Sequence, residues 1–426
     1  MSGELDFVPP TLSMLMEVLS ESKTIPVMRK QIRGMFGDLR DQSEAYLSRD
    51  GAFETGTIKG GFQVHLHGAL DLLSGQGCQE FRCKVSAAER IAQTFGLFAD
   101  KLWMTDSLSA NFVRGGRLTN DRLDEIIADV VCLMHLAPLI NAGIVKFRPS
   151  WLVACKSCVT AFSERNREIS QKLANRFKGE VEFVAQATGK LDFETGSMFD
   201  SVMHYYDVLS TDSTLEEREA FLQQFIEDEI RSAFSAASYA ARSGGAVASN
   251  SRLGLAGIYE AEGTTLDAPA LRLLDKERKV VVPWVSKLHA GQILELRSDA
   301  ETALGPFREK ILKAMAAPDD GLDSSSGVAS IVQELREQAE EVRAELAARS
   351  KTAAGRWKKT YGVLALGLSV YGGWNEQILP AGMGVLGMLQ LLIGHKTGHE
   401  QDVEKLRSKP GYVLVKAQNI LSHAHD

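Results

Sequence analysis

The stretch "FQVHLHGALD", residues Phe62–Asp71, contains two histidines separated by one residue within an apolar run. On a strand, residues i and i+2 lie on the same face, so His65 and His67 would both reach one metal ion. On a helix the two rings point about 200° apart, which makes a shared ion awkward. The apolar character continues to Ser74 and favours a buried helix. We therefore expect two structural histidines in preference to a metal pair.

The segment "HLHGAL" resembles the first-strand His-x-His of metal-dependent deaminases and amidohydrolases. The resemblance is confined to residues 65–70. It implies a barrel, bound zinc, and further histidines and an aspartate at later strand ends. His135, His204 and His289 stand in no matching context. A metal-dependent hydrolase centred on His65 and His67 is therefore the alternative function.

The cysteines offer two weaker metal or redox signals. Cys155-x-x-Cys158 follows a predicted strand and opens a predicted helix, where a thiolate is stabilised. With Cys78 and Cys83, the pair would complete a four-thiolate zinc site. A lone C-x-x-C is unspecific, and we expect ordinary cysteines without a cofactor. The odd total of 5 cysteines argues against a disulfide framework and favours a reducing, intracellular compartment.

Composition and charge exclude some classes of protein. The chain has 48 basic and 55 acidic side chains and a net charge of −7, which argues against a protein that coats nucleic acid. Its N-terminus lacks the basic region and apolar core of a secretory signal. We therefore expect a cytoplasmic protein.

Acidic residues near a predicted strand are the last candidates for a site. Asp100 and Asp106 flank the strand in "ADKLWMTDSL", and Glu125 and Asp129 lie one helical turn apart downstream. Such carboxylates bind magnesium, but they also cap helices and turns. We predict that Asp106 is a cap.

Hydrophobic periodicity predicts a predominantly helical α+β protein. Predicted strands lie at 80–85, 101–104, 143–147 and 180–186. Predicted helices lie at 10–20, 24–47, 87–98, 120–140, 158–177, 215–239 and 286–315, the last interrupted at Gly305-Pro306. The glycine-rich stretch "ARSGGAVASNSRLGLAG", 241–257, is predicted as a loop or an irregular edge.

The domain prediction rests on composition. We predict an α+β lobe at 1–150 and a mostly helical α+β lobe at 151–316. A linker rich in turn-forming residues follows at 317–327. The remainder, 328–426, is predicted to be a helical module.

The first helix of this module carries an apolar seam with heptad spacing. Its members are Val328, Val332, Leu335, Ala339, Val342 and Leu346. We expect this helix to pack within its own domain, and a short intermolecular coiled coil is the alternative.

An apolar segment, 361–394, follows with Glu376 as its single formal charge. Trp357, Tyr361, Tyr371 and Trp374 bound its first arm as interfacial aromatics do. Basic residues outside both ends predict a hairpin whose two ends stay on the cytoplasmic side. Each arm is short for a membrane span, and the buried core of a helical domain is the other interpretation.

These features favour an intracellular interaction protein over an enzyme. Its C-terminal module would mediate self-association, binding of a protein partner, or conditional contact with the inner face of a membrane. The layout, a body joined to an apolar hairpin, is also used by membrane-active effectors of bacterial toxin and defence systems.

Overall fold

The structure, a computed structural model, forms two compact units. Unit 1 comprises Met1–Ala88 and Ala99–Glu277, and unit 2 comprises Glu89–Phe98 and Arg278–Asp426. The predicted class, a predominantly helical α+β protein, is confirmed. The residues described are 7–48, 61–75, 78–113, 118–149, 156–195, 204–243, 245–249, 251–261, 272–275, 285–315, 333–346 and 404–423.

Ten helices are described wholly or partly in unit 1. They are α1 (Pro10–Glu21), α2 (Ile25–Gly34), α3 (Phe36–Leu47), α4 (Phe81–Ile91, whose last turn belongs to unit 2), α5 (Leu108–Val113), α6 (Asn120–Met134), α7 (Ala137–Asn141), α8 (Lys156–Phe177), α9 (Leu215–Ser243) and α10 (Arg252–Ala261). The helix predicted at 120–140 is divided into α6 and α7, and Thr119 caps α6 by accepting from Arg122 N.

Unit 1 is organised around a parallel sheet. Its strands are β1 (Gln63–His67), β2 (Lys101–Asp106), β3 (Val145–Pro149), β7 (Ala246–Ser249) and β8 (Arg272–Asp275), in the order β3-β2-β1-β7-β8. In the register, Val64 lies opposite Leu102 on one side and Ala246 on the other. The strand order therefore changes direction between β1 and β7. The switch point of the sheet lies at the carboxyl ends of these two neighbouring strands.

A second, antiparallel sheet of three strands contributes to a hydrophobic core of unit 1, together with α8, α9 and α10. Its order is β4 (Val181–Ala185), β5 (Lys190–Thr195) and β6 (His204–Ser210). Phe193 of β5 packs edge-on against Phe221 and Phe225 of α9, with ring centroids 5.2 Å apart in both pairs. The amphipathic α9 thus packs one apolar stretch against this sheet and another against β1.

The preference for a helix at 62–74 was wrong, because residues 63–67 form the central strand β1 and only Gly68–Leu70 form a 3-10 turn. All five residues of β1 are buried. The strand itself, QVHLH, alternates polar and apolar residues, but the prediction gave more weight to the apolar residues that continue to Leu73. The barrel implied by "HLHGAL" is also corrected, since β1 lies in the middle of an open sheet among the strands described.

Two further predictions were wrong. Residues 81–85 of the run 80–85, which was predicted as a strand, belong to α4. The stretch 241–257, predicted as a loop, contains the end of α9, all of β7 and the start of α10. Its small residues reflect close packing, since every side chain of β7 is buried. The strands predicted at 101–104, 143–147 and 180–186 and the helices predicted at 158–177 and 215–239 are confirmed.

Unit 2 is helical in the residues described. Its helices are α11 (Ala290–Asp299), α12 (Glu301–Met315), α13 (333–346) and α14 (Gly411–His423), with a helical turn at 404–407. The predicted interruption at Gly305-Pro306 is corrected, because α12 continues through Pro306 and the break comes at Ala300.

The apolar seam of α13 is buried, as expected of a helix that packs within its own domain. Leu335, Ala339, Val342 and Leu346 are its buried members, and Val328 and Val332 fall outside the described ranges. The linker 317–327 and the apolar segment 361–394, with Trp357, Tyr361, Tyr371 and Trp374, also fall outside them. None of the helices described is both long and apolar enough to span a membrane.

Candidate functional site

Polar side chains collect at the carboxyl edge of the parallel sheet. Because parallel strands end at the same edge, this edge brings together residues that are far apart in the sequence. β1 ends at His67, β2 at Asp106 and β7 at Ser249, and Arg148 is the penultimate residue of β3. All four side chains are buried.

A buried ion pair joins the ends of β1, β2 and β3. The guanidinium of Arg148 donates to Leu66 O at 2.7 Å, to Trp103 O at 3.1 Å and to Asp71 Oδ2 at 3.2 Å. Asp71 also accepts from Thr105, from its N at 2.9 Å and from its Oγ1 at 2.6 Å. Burial raises the pKa of Asp71, and Arg148 and Thr105 oppose that rise. The ion pair thus holds together the strand ends that carry the other polar side chains.

His67 lies at the switch point with one ring nitrogen unsatisfied. Its Nδ1 is 2.8 Å from Ser249 Oγ, which also accepts from Ser251 N at 3.0 Å. Its Nε2 is buried and has no hydrogen-bond partner among the residues described, and it lies 4.0 Å from Glu229 Oε1. The site therefore holds a buried imidazole facing a carboxylate beyond hydrogen-bonding distance.

Glu229 connects this imidazole to the turn between β7 and α10. It stands on α9 with 15% of its side chain exposed and accepts a hydrogen bond from Ser251 Oγ. Ser251 Oγ in turn accepts from Gly254 N at 2.9 Å, so Ser251 caps α10. We call His67, Glu229, Ser249 and Ser251 the strand-end cluster.

Gly254 allows the imidazole to approach α10. A Cβ at this position would lie 2.5 Å from His67 Cε1 and 3.1 Å from Ser251 Oγ. Only glycine accommodates the ring without displacing it. The first turn of α10 and the end of β1 are thereby held in direct contact.

His67 is neutral at physiological pH. Burial, and then the charge of Arg148, lower its pKa to about 3, and the backbone carbonyl of Glu229 opposes that change. Because Ser249 can donate to or accept from Nδ1, His67 Nε2 either directs a proton toward Glu229 or offers a lone pair. In both states the ring is a hydrogen-bonding group without a charge.

His65 lies on the same face of β1, and its buried Nδ1, like Nε2 of His67, has no hydrogen-bond partner among the residues described. Its Nε2 is 3.0 Å from Ser243 Oγ, and Ser243 donates its own proton to Ala240 O at 3.1 Å. Nε2 of His65 is therefore the donor. The ring stacks on Trp103, with centroids 5.6 Å apart and planes inclined by 3°. Burial, and then Arg148, lower the pKa of His65 well below its ordinary value.

The metal sites stay predictions. His65 and His67 share a face of β1, as a metal pair would require. No group of three or more histidine, cysteine, aspartate or glutamate side chains that could hold a metal is found in the described part of the chain. Cys78 and Cys83 are exposed, whereas Cys155 and the side chain of Cys158 lie outside that part.

The acidic candidates have structural partners. Asp106 caps α5 by accepting from Ser109 N at 3.0 Å, which confirms its predicted role. Asp100 accepts from Phe62 N at 2.5 Å, and Asp129 and Glu125 pair with Lys84 and Arg122 respectively. Each of the four carboxylates thus has a partner within the protein, although Oδ2 of Asp106 has none among the residues described.

Sequence reasoning missed most of the strand-end cluster. Glu229 is one of many acidic residues on a long amphipathic helix, and nothing local distinguishes it. Ser249 and Ser251 stood in a stretch predicted as a loop. The sequence "AVASNSRLG" contains a usable signal for a strand followed by a capped helix. Its four small residues are followed by a serine that directly precedes a helical pattern.

Comparison with known proteins identifies no match to this chain. A scan against protein-family models, a search of curated proteins and a search of solved structures each returned no match to this chain. The site is therefore interpreted from its own geometry.

Proposed function

We propose that unit 1 binds a small polar molecule at the carboxyl edge of its sheet, between the ends of β1 and β7. The observation that carries this proposal is His67 Nε2, which is buried, unsatisfied among the residues described, and 4.0 Å from Glu229 Oε1. A buried polar atom without a partner costs about 1–3 kcal/mol, and a ligand that bonds to it removes that cost. The location agrees with the general rule that open parallel sheets bind ligands at the switch point.

The charges around the strand-end cluster restrict the class of ligand. The N-terminal end of a helix favours an anion. At α10 this anion is the carboxylate of Glu229, which accepts a hydrogen bond from the N-cap residue Ser251. A phosphate or a second carboxylate would be repelled there. The ligand is therefore uncharged or cationic, and it carries hydroxyl or amine groups that donate to Glu229.

Glu229→Gln is expected to weaken ligand binding by at least tenfold, about 1.4 kcal/mol, because a neutral amide replaces the accepting carboxylate. The measurement is the shift in thermal unfolding midpoint produced by nucleosides, monosaccharides, polyamines and amino-acid amides, with inorganic phosphate as the anion. At least one uncharged or cationic class should stabilise the wild type, and phosphate should not.

Glu227→Gln is the matched control. Glu227 lies on the same helix with 13% of its side chain exposed and pairs with Arg231 away from the strand-end cluster. This variant should respond as the wild type does. If no class stabilises the wild type, or if Glu229→Gln responds equally, the proposed binding site is wrong.

We propose a second function for unit 2, assembly or conditional membrane contact through the apolar segment 361–394. One contact supports it. Lys409 Nζ lies 3.0 Å from Glu341 Oε1 and 3.5 Å from Glu345 Oε1. The end of α13 and the residues that follow 347–403 therefore lie close together. A segment held this way has both ends on one side of any membrane it enters, as the flanking basic residues predict.

In this proposal the protein is cytoplasmic and reaches the inner face of a membrane, or a protein partner, through this segment. This layout is also used by membrane-active effectors of bacterial toxin and defence systems, which is an analogy in layout only.

Full-length protein is expected to float with vesicles of phosphatidylethanolamine and phosphatidylglycerol on a density gradient. The double substitution Leu366→Lys and Leu389→Lys should abolish flotation, because a charge at the centre of a span costs about 2.5–3.5 kcal/mol on insertion scales. Thr397→Lys, just beyond the apolar segment, is the control and should float. If neither the wild type nor the control floats, the proposed membrane contact is wrong.

A zinc-dependent hydrolase is the alternative proposal. Its support is the shared face of His65 and His67 on β1. After zinc loading and dialysis, one equivalent of metal that is lost in His65→Ala would favour it. A wild type without bound metal would exclude it.

A further inference from the structure

The turn between β7 and α10 places a serine hydroxyl between a carboxylate and a helix N-terminus. Ser251 Oγ donates to Glu229 Oε1 and accepts from Gly254 N at 2.9 Å. A hydroxyl has one proton, and here that proton lies on the bond to the carboxylate. This is the arrangement of an activated nucleophile, in which an adjacent base is ready to accept the proton.

The base in this arrangement is Glu229. His67 is the other titratable group of the strand-end cluster, but its ring is hydrogen-bonded to Ser249 and not to Ser251. Its ring packs against Gly254 and holds the first turn of α10 next to β1. His67 is thus a positioning residue for Ser251, and Glu229 is the group that exchanges a proton.

The first turn of α10 supplies donors for a developing negative charge. Gly254 N is already bonded to Ser251 Oγ, whereas the amides of Arg252 and Leu253 have no acceptor within the helix. The helix dipole favours negative charge at this end. An oxyanion formed next to Ser251 would be stabilised by these groups, because Glu229 has taken up the serine proton and is neutral when the oxyanion forms.

We propose that Ser251 is the nucleophile and Glu229 the general base of a hydrolase that acts on an uncharged acyl compound, an ester or an amide. The inference rests on the ligand site proposed above and adds a reaction to it. The repulsion that Glu229 exerts on anions is the reason for an uncharged acyl substrate in preference to a phosphate ester.

The reaction proceeds in two halves. Ser251 Oγ forms a bond to the acyl carbon, its proton passes to Glu229, and the carbonyl electrons move onto oxygen. The bond to the leaving group then breaks, and the leaving group takes the proton from Glu229, which leaves an acyl-serine. A water molecule attacks that acyl carbon, gives a proton to Glu229, and the Ser251–acyl bond breaks. Oγ recovers the proton, and a carboxylic acid is released.

The test uses full-length protein, a fluorophosphonate probe and p-nitrophenyl butyrate. We expect one probe adduct per chain by intact mass, placed on Ser251 by peptide mapping, and ester hydrolysis by the same protein. Glu229→Gln should slow both reactions by at least about 100-fold, within the range of general base catalysis. Ser170→Ala, at a buried serine on α8 whose hydroxyl donates to the backbone carbonyl of Arg167, should leave both unchanged.

Ser251→Asn distinguishes chemistry from folding. Asparagine caps a helix as well as serine does but offers no hydroxyl nucleophile, so this variant should melt like the wild type and take no probe. A wild type that binds a ligand of the panel but is not labelled at Ser251 would overturn the hydrolase and leave the binding site intact. Labelling that persists in Ser251→Asn would also overturn it.

Discussion

Arg148→Met is expected to lower the free energy of unfolding of unit 1 by about 3–5 kcal/mol. The side chains of Arg148 and Asp71 are 3% and 1% exposed, so removal of the guanidinium leaves a buried carboxylate without its counter-charge. It also removes the donors to Leu66 O and Trp103 O. Urea unfolding followed by far-ultraviolet circular dichroism measures the loss.

Two further variants show whether the loss comes from the buried pair. Arg148→Met combined with Asp71→Asn should be more stable than Arg148→Met alone, because the second substitution removes the uncompensated charge. Arg231→Met, at a surface ion pair, should change stability by less than about 1 kcal/mol. An Arg148→Met protein as stable as Arg231→Met would show that the pair does not hold the strand ends.

The wild type is expected to lose stability through its two buried histidines as pH falls from about 6.5 to 5. The folded state holds His65 and His67 neutral with lowered pKa values, whereas the unfolded chain takes up protons near pH 6.5. Since the unfolded state then binds more protons, the free energy of unfolding falls with pH. His67 contributes about 2 kcal/mol over this interval, and His65 contributes in the same direction.

The measurement is the difference between the wild type and His67→Gln. Burial raises the pKa values of Asp71 and Asp106, and raised carboxylate values have the opposite sign in this range. Those contributions are common to both proteins and cancel in the comparison. His67→Gln should lose about 2 kcal/mol less than the wild type between pH 6.5 and 5. Equal losses would mean that His67 is not a buried neutral ring.

The elements that sequence predicted correctly are those with a clear period or a short β-rich run. The helix α9 carries apolar residues at helical spacing over many turns, and β2 and β3 are bounded by polar residues. The central strands β1 and β7 were missed for different reasons. β1, QVHLH, alternates polar and apolar residues, but the apolar residues that follow it favoured a helix. β7 is buried on both faces and consists of small residues, a composition that is typical of a loop.

The candidate site could not be predicted, because its contacts join distant parts of the chain. His67 and Ser249 are 182 residues apart, and Arg148 and Asp71 are 77 apart. No local spacing encodes such pairs, and they follow only from the strand order. Asp106 was identified correctly since its capping contact, with Ser109, is local.

The most direct test of the binding site is the nitrogen spectrum of labelled histidine in the full-length protein, with His67 assigned through His67→Gln. The probe is whichever compound of the ligand panel raises the unfolding midpoint most. We predict that the His67 Nε2 resonance shifts as this compound is added and saturates at the concentration where the thermal shift does. The His65 resonances, enclosed by Ser243 and Trp103, should move little. A compound that stabilises the protein while His67 stays unshifted, or a panel in which no compound stabilises it, would contradict a ligand site at the strand ends.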